Sequence, residues 1–266
     1  MGFSKESWRY PQSAVFDPTG TTQHAFTGVP LSVIDLLASD ANTTGGIFSY
    51  ATHFHSWEGP LTEASAGGWT LSGPTGTATI AAATTVNGEI VCTNDNTASA
   101  VFTLCYAPAG TGWQSFGYTA GKRMWAFAKL KCQTVASTEL FLGFGTADTS
   151  PTTTGTFPSD GLFLTKAASD TDMTLHARKS GTSTTKATVL GTTLADATYT
   201  IMGFNVNQHG DLTAYLGGTS GLVAKTANVI AAGDANLPTG TMAFMFGFLA
   251  QNKTVTLDWL TFGAEM

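Results

Sequence analysis

From Ile47 to the end of the chain, apolar residues fall in short runs or strict alternation, cut every few residues by clusters of Gly, Asn, Pro, Asp and Thr. Runs of this kind fold as strands. The candidates ahead of a Gly-rich loop at 109–121 are IFSYATHFHSW, WTLSG, TATIAAATT, GEIVCTND and SAVFTLCYA. After it come RMWAFAKLKCQT, ELFLGFGTA, GLFLTKA and MTLHARKSG, then KATVLG, TYTIMGFNVNQ, LTAYLGG, LVAKTAN, MAFMFGFLAQ and VTLDWLTFGAE. That is more strand than one sheet holds, so two antiparallel sheets packed face to face are expected over 47–266, an all-β sandwich or jelly roll.

Side-chain parity sharpens the expectation. In Arg123 to Lys131, Met124, Ala126, Ala128 and Leu130 take one face, while Trp125 and Phe127 share the other with Arg123, Lys129 and Lys131. The second face, aromatic and basic, is a candidate concave surface for a ligand or partner. MAFMFGFLA is apolar on both faces and belongs at the centre of a sheet. WTLSG, TATIAAATT and VNGEIV read as a meander turning tightly at Asn87-Gly88. The polar loop ADTSPTTTGTFPS reads as a mobile surface excursion or contact loop.

Residues 1–46 differ from the body. They are rich in Pro, Asp and turn formers and hold one short helical stripe, in which Leu31, Ile34 and Leu37 recur behind Pro30. Such a segment either plugs one end of the sandwich or docks as an arm on a neighbouring subunit. Trp8 and Tyr10 here, with Ile34 and Leu37, are candidate anchors for a partner, and Trp113 is another aromatic in an irregular stretch.

Only 11% of the 266 residues are charged, with a net charge of −6. The surface is therefore built from Thr, Ser, Asn and Gly, whose hydroxyl and amide groups cost less to bury than ammonium or carboxylate groups, which favours extensive protein contacts. Scattered basic residues, densest at Lys122-Arg123 with Lys129 and Lys131 and at Arg178-Lys179, argue against nucleic-acid binding and read as solvent-facing strand positions. No apolar run reaches the roughly 20 residues of a membrane helix, and MGFSKESWRYPQ lacks the apolar stretch of a secretory signal. Cys92, Cys105 and Cys132, an odd number without CxxC spacing, read as buried free thiols.

Candidate chemistry is sparse. Most of the 18 acidic residues fall in turns, and Glu89 and Glu139 are each alone in strand-like segments. The paired carboxylates that glycoside hydrolysis needs are not visible, so no catalytic residue is assigned and no enzyme is expected. His53 and His55 stand on one side of a strand and are weak metal-ligand candidates, with Glu58 the nearest third group; no metal or other cofactor is expected. His209 lies in the turn-forming sequence NQHGD.

Two resemblances follow from particular segments. Tyr199 to Val206 followed by Gly210 to Gly218, with the closing VTLDWLTFG, is similar to the strand, turn and strand and the final strand of concanavalin-A-like or laminin-G-like jelly rolls. That fold serves lectins, glycosidases and structural modules alike, so it implies no single function. MGFSKESWRYPQ, the Thr/Gly/Ala-rich body and GFLAQNKTVTLDWLTFGAEM resemble virion proteins of tailed bacteriophages. The resemblance implies a non-enzymatic capsid decoration or cement subunit, assembled into the virion in a host cytoplasm, binding the major capsid protein and itself as a homo-oligomer. The alternative is a carbohydrate-binding module or tail-associated adhesin that stacks glycan rings on Trp125 and Phe127.

Overall fold

The computed structural model describes residues 47–265 apart from 53, 55–58, 63, 67, 74–77, 84–87, 95–100, 107–115, 147, 149, 153–155, 171–172, 187–193, 208, 219–220 and 251–252. The arm at 1–46, with its helical stripe, lies outside the described residues.

The strands are β1 (Ile47–Thr52), β2 (Ala64–Ala66), β3 (Trp69–Ser72), β4 (Thr79–Ala82), β5 (Ile90–Thr93) and β6 (Phe102–Tyr106). They continue with β7 (Phe116–Gly117), β8 (Met124–Cys132), β9 (Glu139–Gly145), β10 (Gly161–Lys166), β11 (Thr174–Lys179) and β12 (Thr182–Lys186). The last are β13 (Thr200–Val206), β14 (Leu212–Gly218), β15 (Gly221–Ile230), β16 (Thr241–Leu249) and β17 (Thr254–Glu265). The first sheet runs β15-β14-β13-β8-β17-β5-β4, and β1 pairs with the far end of β17. The second runs β12-β11-β10-β9-β16-β6-β3-β2, with β7 beside β16. The ladders are antiparallel throughout the described residues, so the expected all-β two-sheet sandwich is what the chain forms.

Parity places the core. Met124, Ala126, Ala128 and Leu130 of β8, Phe204 of β13 and Phe262 of β17 face Leu142 and Phe144 of β9, Leu162 of β10 and Phe244 of β16 across the interior. The two sheets meet at Phe244 and Phe262, whose rings stack with centroids 3.9 Å apart, while Trp69, Tyr106, Phe116 and Phe144 approach Phe262 more edge-on. MAFMFGFLA is central, as its pattern requires: β16 lies between β9 and β6 and is buried on both faces.

Several local readings are corrected. WTLSG and TATIAAATT do not form a meander, because β3 pairs with β6 in the second sheet and β4 with β5 in the first. The β4–β5 connection is also longer than a two-residue turn. Its last bond, from the Ala83 N–H to the Glu89 carbonyl at 2.8 Å, leaves several residues in the loop, among which Asn87 is not described. Thr182–Lys186 forms β12, a strand the Thr-rich, weakly apolar sequence concealed. The three cysteines are free and buried, with Cys92 in the first sheet and Cys105 in the second.

Candidate functional site

Hydrocarbon fills the space between the sheets, so polar function is left to the two outer faces. On the first sheet the outer face of β8 carries Trp125, Phe127, Lys129 and Lys131. Trp125 and Phe127 are only 1% and 0% exposed, so the expected stacking and docking platform is closed. A glycine stands opposite each: Gly203 opposite Phe127, whose ring sinks onto that bare backbone, and Gly263 opposite Trp125 in the ladder. A Cβ on Gly203 would lie 2.1 Å from Phe127 Cδ1 and 2.4 Å from the Ala126 carbonyl oxygen. Phe127 also meets Tyr215 of β14, with ring centroids 5.5 Å apart.

One register further, the same face opens. A β-bulge in β17 between Leu257 and Trp259 adds a residue to that strand, and Asp258 there meets Lys129, Oδ2 to Nζ 2.6 Å. Lys131 lies 4.0 Å from Glu89 Oε2. Both ammonium groups lie over the ring of Tyr199, Lys131 at 4.5 Å and Lys129 at 5.1 Å from its centroid. Burial raises the Tyr199 pKa, and the nearby carboxylates of Glu89 and Asp258 raise it further. The lysine side chains keep 27% and 32% exposure while the Asp258 and Glu89 carboxylates beneath them keep 14% and 10%, so the ammonium donors face solvent over largely covered acceptors.

The second sheet's outer face is filled by the chain itself. Phe141, Phe163, Cys105, Ala243 and Met245 form an apolar cluster there, against which Phe157 of the β9–β10 loop packs. The expected surface excursion at 146–159 is thus in part a docked segment: Pro151, Thr152 and Pro158 are buried. Glycines again supply the seats. A Cβ on Gly145 would lie 2.7 Å from Pro158, and one on Gly247 would lie 3.3 Å from Pro151. His176 of β11 is buried with its ring 4.9 Å from that of Phe163 and 5.1 Å from that of Phe157, and its Nε2 lies 2.8 Å from Thr165 Oγ1. Arg178, expected to face solvent, donates from Nη1 to the Phe157 carbonyl at 2.9 Å and from Nη2 to the Gly181 carbonyl at 3.0 Å.

Other candidates are quickly placed. His53, His55, Glu58, Trp8, Tyr10, Trp113, Ile34 and Leu37 lie outside the described residues. No group of three His, Cys, Asp or Glu among the described residues could hold a metal ion. Glu139 is buried at the start of β9 in the second sheet, whereas Glu89 stands one residue before β5 of the first, so the two are not a pair across one face. His209 is exposed in an Asx turn, its N–H donating to Asn207 Oδ1 at 2.8 Å. The sequence reading passed over His176, yet alternation in MTLHARK sets it beside Arg178 on one face. It also passed over Lys166, which has the inward parity of Leu162 and Leu164. Its buried ammonium donates to the carbonyls of Val135, Thr138 and Ala167 at 2.7, 2.6 and 2.9 Å, and burial lowers its pKa.

No family model and no curated protein matches the chain. Among solved structures it is similar to a protein of unknown function from Shewanella oneidensis MR-1, at 15% identity over 89% of this chain and 95% of that one, TM-score 0.53. It is also similar to arcelin-5, a lectin-like defense protein from Phaseolus vulgaris, at 8% identity over 82% of this chain and 98% of that one, TM-score 0.53. The fold is a concanavalin-A-like jelly roll. Identities this low speak to the fold alone.

Proposed function

We propose that this jelly roll is a non-enzymatic glycan-recognition protein whose saccharide contacts lie at Lys129, Lys131, Tyr199, Glu89 and Asp258. The supporting observation is the pairing of two ammonium groups on β8 with two carboxylates around one aromatic ring, Tyr199 and Glu89 each standing one residue before a strand. Neighbouring sugar hydroxyls each donate and accept, and fixed ammonium donors beside carboxylate acceptors match that chemistry. The lectin-like neighbour makes the reading natural for this fold without assigning it. Relative to the sequence expectation, the contacts move along β8 from the closed Trp125 and Phe127 to the open Lys129 and Lys131.

The alternative proposal is a capsid decoration subunit, supported by the weakly charged, hydroxyl-rich composition. One experiment separates the two. Wild type and Lys131→Ala are applied to a glycan array and sedimented with empty capsids. Glycan retention that falls at least tenfold in Lys131→Ala supports recognition at this patch. Capsid sedimentation without glycan retention overturns it in favour of the alternative, and equal glycan retention by both proteins removes the patch as the site.

A further inference from the structure

We propose that the Phe157–Pro158 segment is an acid-released strap: protonation of His176 expels it from the outer face of the second sheet and uncovers Phe141, Phe163 and Met245. The geometry requires a neutral imidazole. His176 sits between the rings of Phe163 and Phe157, and Nε2 shares one hydrogen bond with Thr165 Oγ1. Nδ1 is buried and has no hydrogen-bond partner among the described residues. A neutral ring tolerates this, because an imidazole nitrogen without a proton is only an unfilled acceptor. In the imidazolium both nitrogens are donors, and the Nδ1 proton would have no acceptor inside the slot.

Charge acts in the same direction. Arg178, two residues along the same face of β11, already places a guanidinium beside the slot and tethers the strap through the Phe157 carbonyl. A second positive charge at His176 repels that guanidinium. Among the described residues no other neighbour brings a compensating carboxylate to the ring. β10 presents Phe163 and Thr165, since Lys166 points to the opposite face, and β12 places Thr185 opposite His176. In the loop, Asp148 accepts from the Ser150 N–H at 2.8 Å and Asp160 from the Ser180 N–H at 3.3 Å. Lifting Phe157 admits water to Nδ1 and separates the two cations, so the open form is the one that accepts the proton.

The sign is fixed by where the proton binds better. Burial first, and then the charge of Arg178, press the His176 pKa down from 6.5 to about 4 with the strap closed. An open, solvated ring binds the proton more tightly, so acid favours opening as pH falls from 6.5 towards 4, and the effect levels off below. Each pH unit inside that window raises the opening constant by up to about tenfold.

Hydrogen exchange read by mass spectrometry on the full chain tests this, with rates corrected for intrinsic pH dependence. Strap amides at 156–160 should exchange progressively faster as pH falls through the window, while β8 and β17 stay protected. In His176→Phe, which keeps an aromatic ring and removes the titration, the strap should stay closed. An NMR titration of the His176 ring in wild type needs no variant: its pKa must lie well below that of the free side chain. The proposal is overturned by a normal His176 titration, by equal acid dependence in His176→Phe, or by strap and sheets opening together.

Discussion

The two outer faces of this sandwich use the same local device to opposite ends. On the first sheet a phenylalanine, Phe127, sinks onto a glycine of the adjacent strand, Gly203; on the second, Phe163 lies over Gly161, two residues back on its own strand, where a Cβ would lie 2.8 Å from its Cδ1. Beyond that point they diverge. The first face continues into ion pairs that keep partial exposure, and the second is roofed by the chain's own Phe157 and Pro158. A face bearing Lys and Asp needs no cover, because water solvates it. A face bearing Phe141, Phe163 and Met245 needs one, because exposing that much hydrocarbon costs roughly 25 cal/mol per Å². Side-chain chemistry thus decides which face is open to a partner and which is held by the protein itself.

The sharpest way to break the comparison is the same substitution on both faces. Gly203→Ala drives a Cβ into backbone, the Ala126 carbonyl oxygen at 2.4 Å, as well as into the Phe127 ring. Neither strand can move without disturbing the ladder between β8 and β13, so a loss of about 3 kcal/mol is expected, lowering the melting temperature by roughly 10 °C. Calorimetry checks it, and a melt within a degree or two of wild type would mean that Phe127 is not fixed against the glycine. Gly145→Ala meets mainly Pro158 of the strap at 2.7 Å, which can lift. Here the expected global loss is about 1 kcal/mol or less, with faster amide exchange confined to the strap. Cooperative destabilisation as large as that of Gly203→Ala would show that the strap belongs to the folding core.

The sequence made the sandwich legible because alternation carries it: Met124, Ala126, Ala128 and Leu130 had to face inward, and they do. Alternation says nothing about what lies on the other side of a face, and that is where the reading of β8 failed. Trp125 and Phe127 looked available because Lys129 and Lys131 share their parity, but both are buried, and Phe127 lies against Gly203, a residue distant in sequence. The cluster at Lys129 depended on a bulge at Asp258, which VTLDWLTFG does not announce. The strap was hidden for a related reason. ADTSPTTTGTFPS is polar overall, and only the fold brings its two buried prolines over Gly247 and Gly145. His176 and Arg178 were readable as neighbours on one strand face, yet the slot around them needed β10 and the loop.

The smallest expected effect tests how the open face is held. Lys131 and Glu89 are 4.0 Å apart and the lysine is about one-third exposed, so water and salt screen the pair, and Lys131→Ala should cost about 0.5 kcal/mol or less. Lys129 differs by geometry. The two carboxylates are covered alike, Asp258 14% and Glu89 10% exposed, but Lys129 meets Asp258 at 2.6 Å, against 4.0 Å for Lys131 and Glu89. Removing the ammonium would leave a largely desolvated carboxylate without its short contact, and the coupling between Lys129→Ala and Asp258→Ala in a double-mutant cycle should reach about 1 kcal/mol. Added salt should erase what little the Lys131 pair contributes and leave most of the Lys129 coupling, since counterions compete more easily with a 4.0 Å pair than with a short charge-assisted contact at 2.6 Å. If both pairs prove equally weak and equally salt-sensitive, the patch is an ordinary solvated surface whose donors and acceptors are not fixed for a ligand.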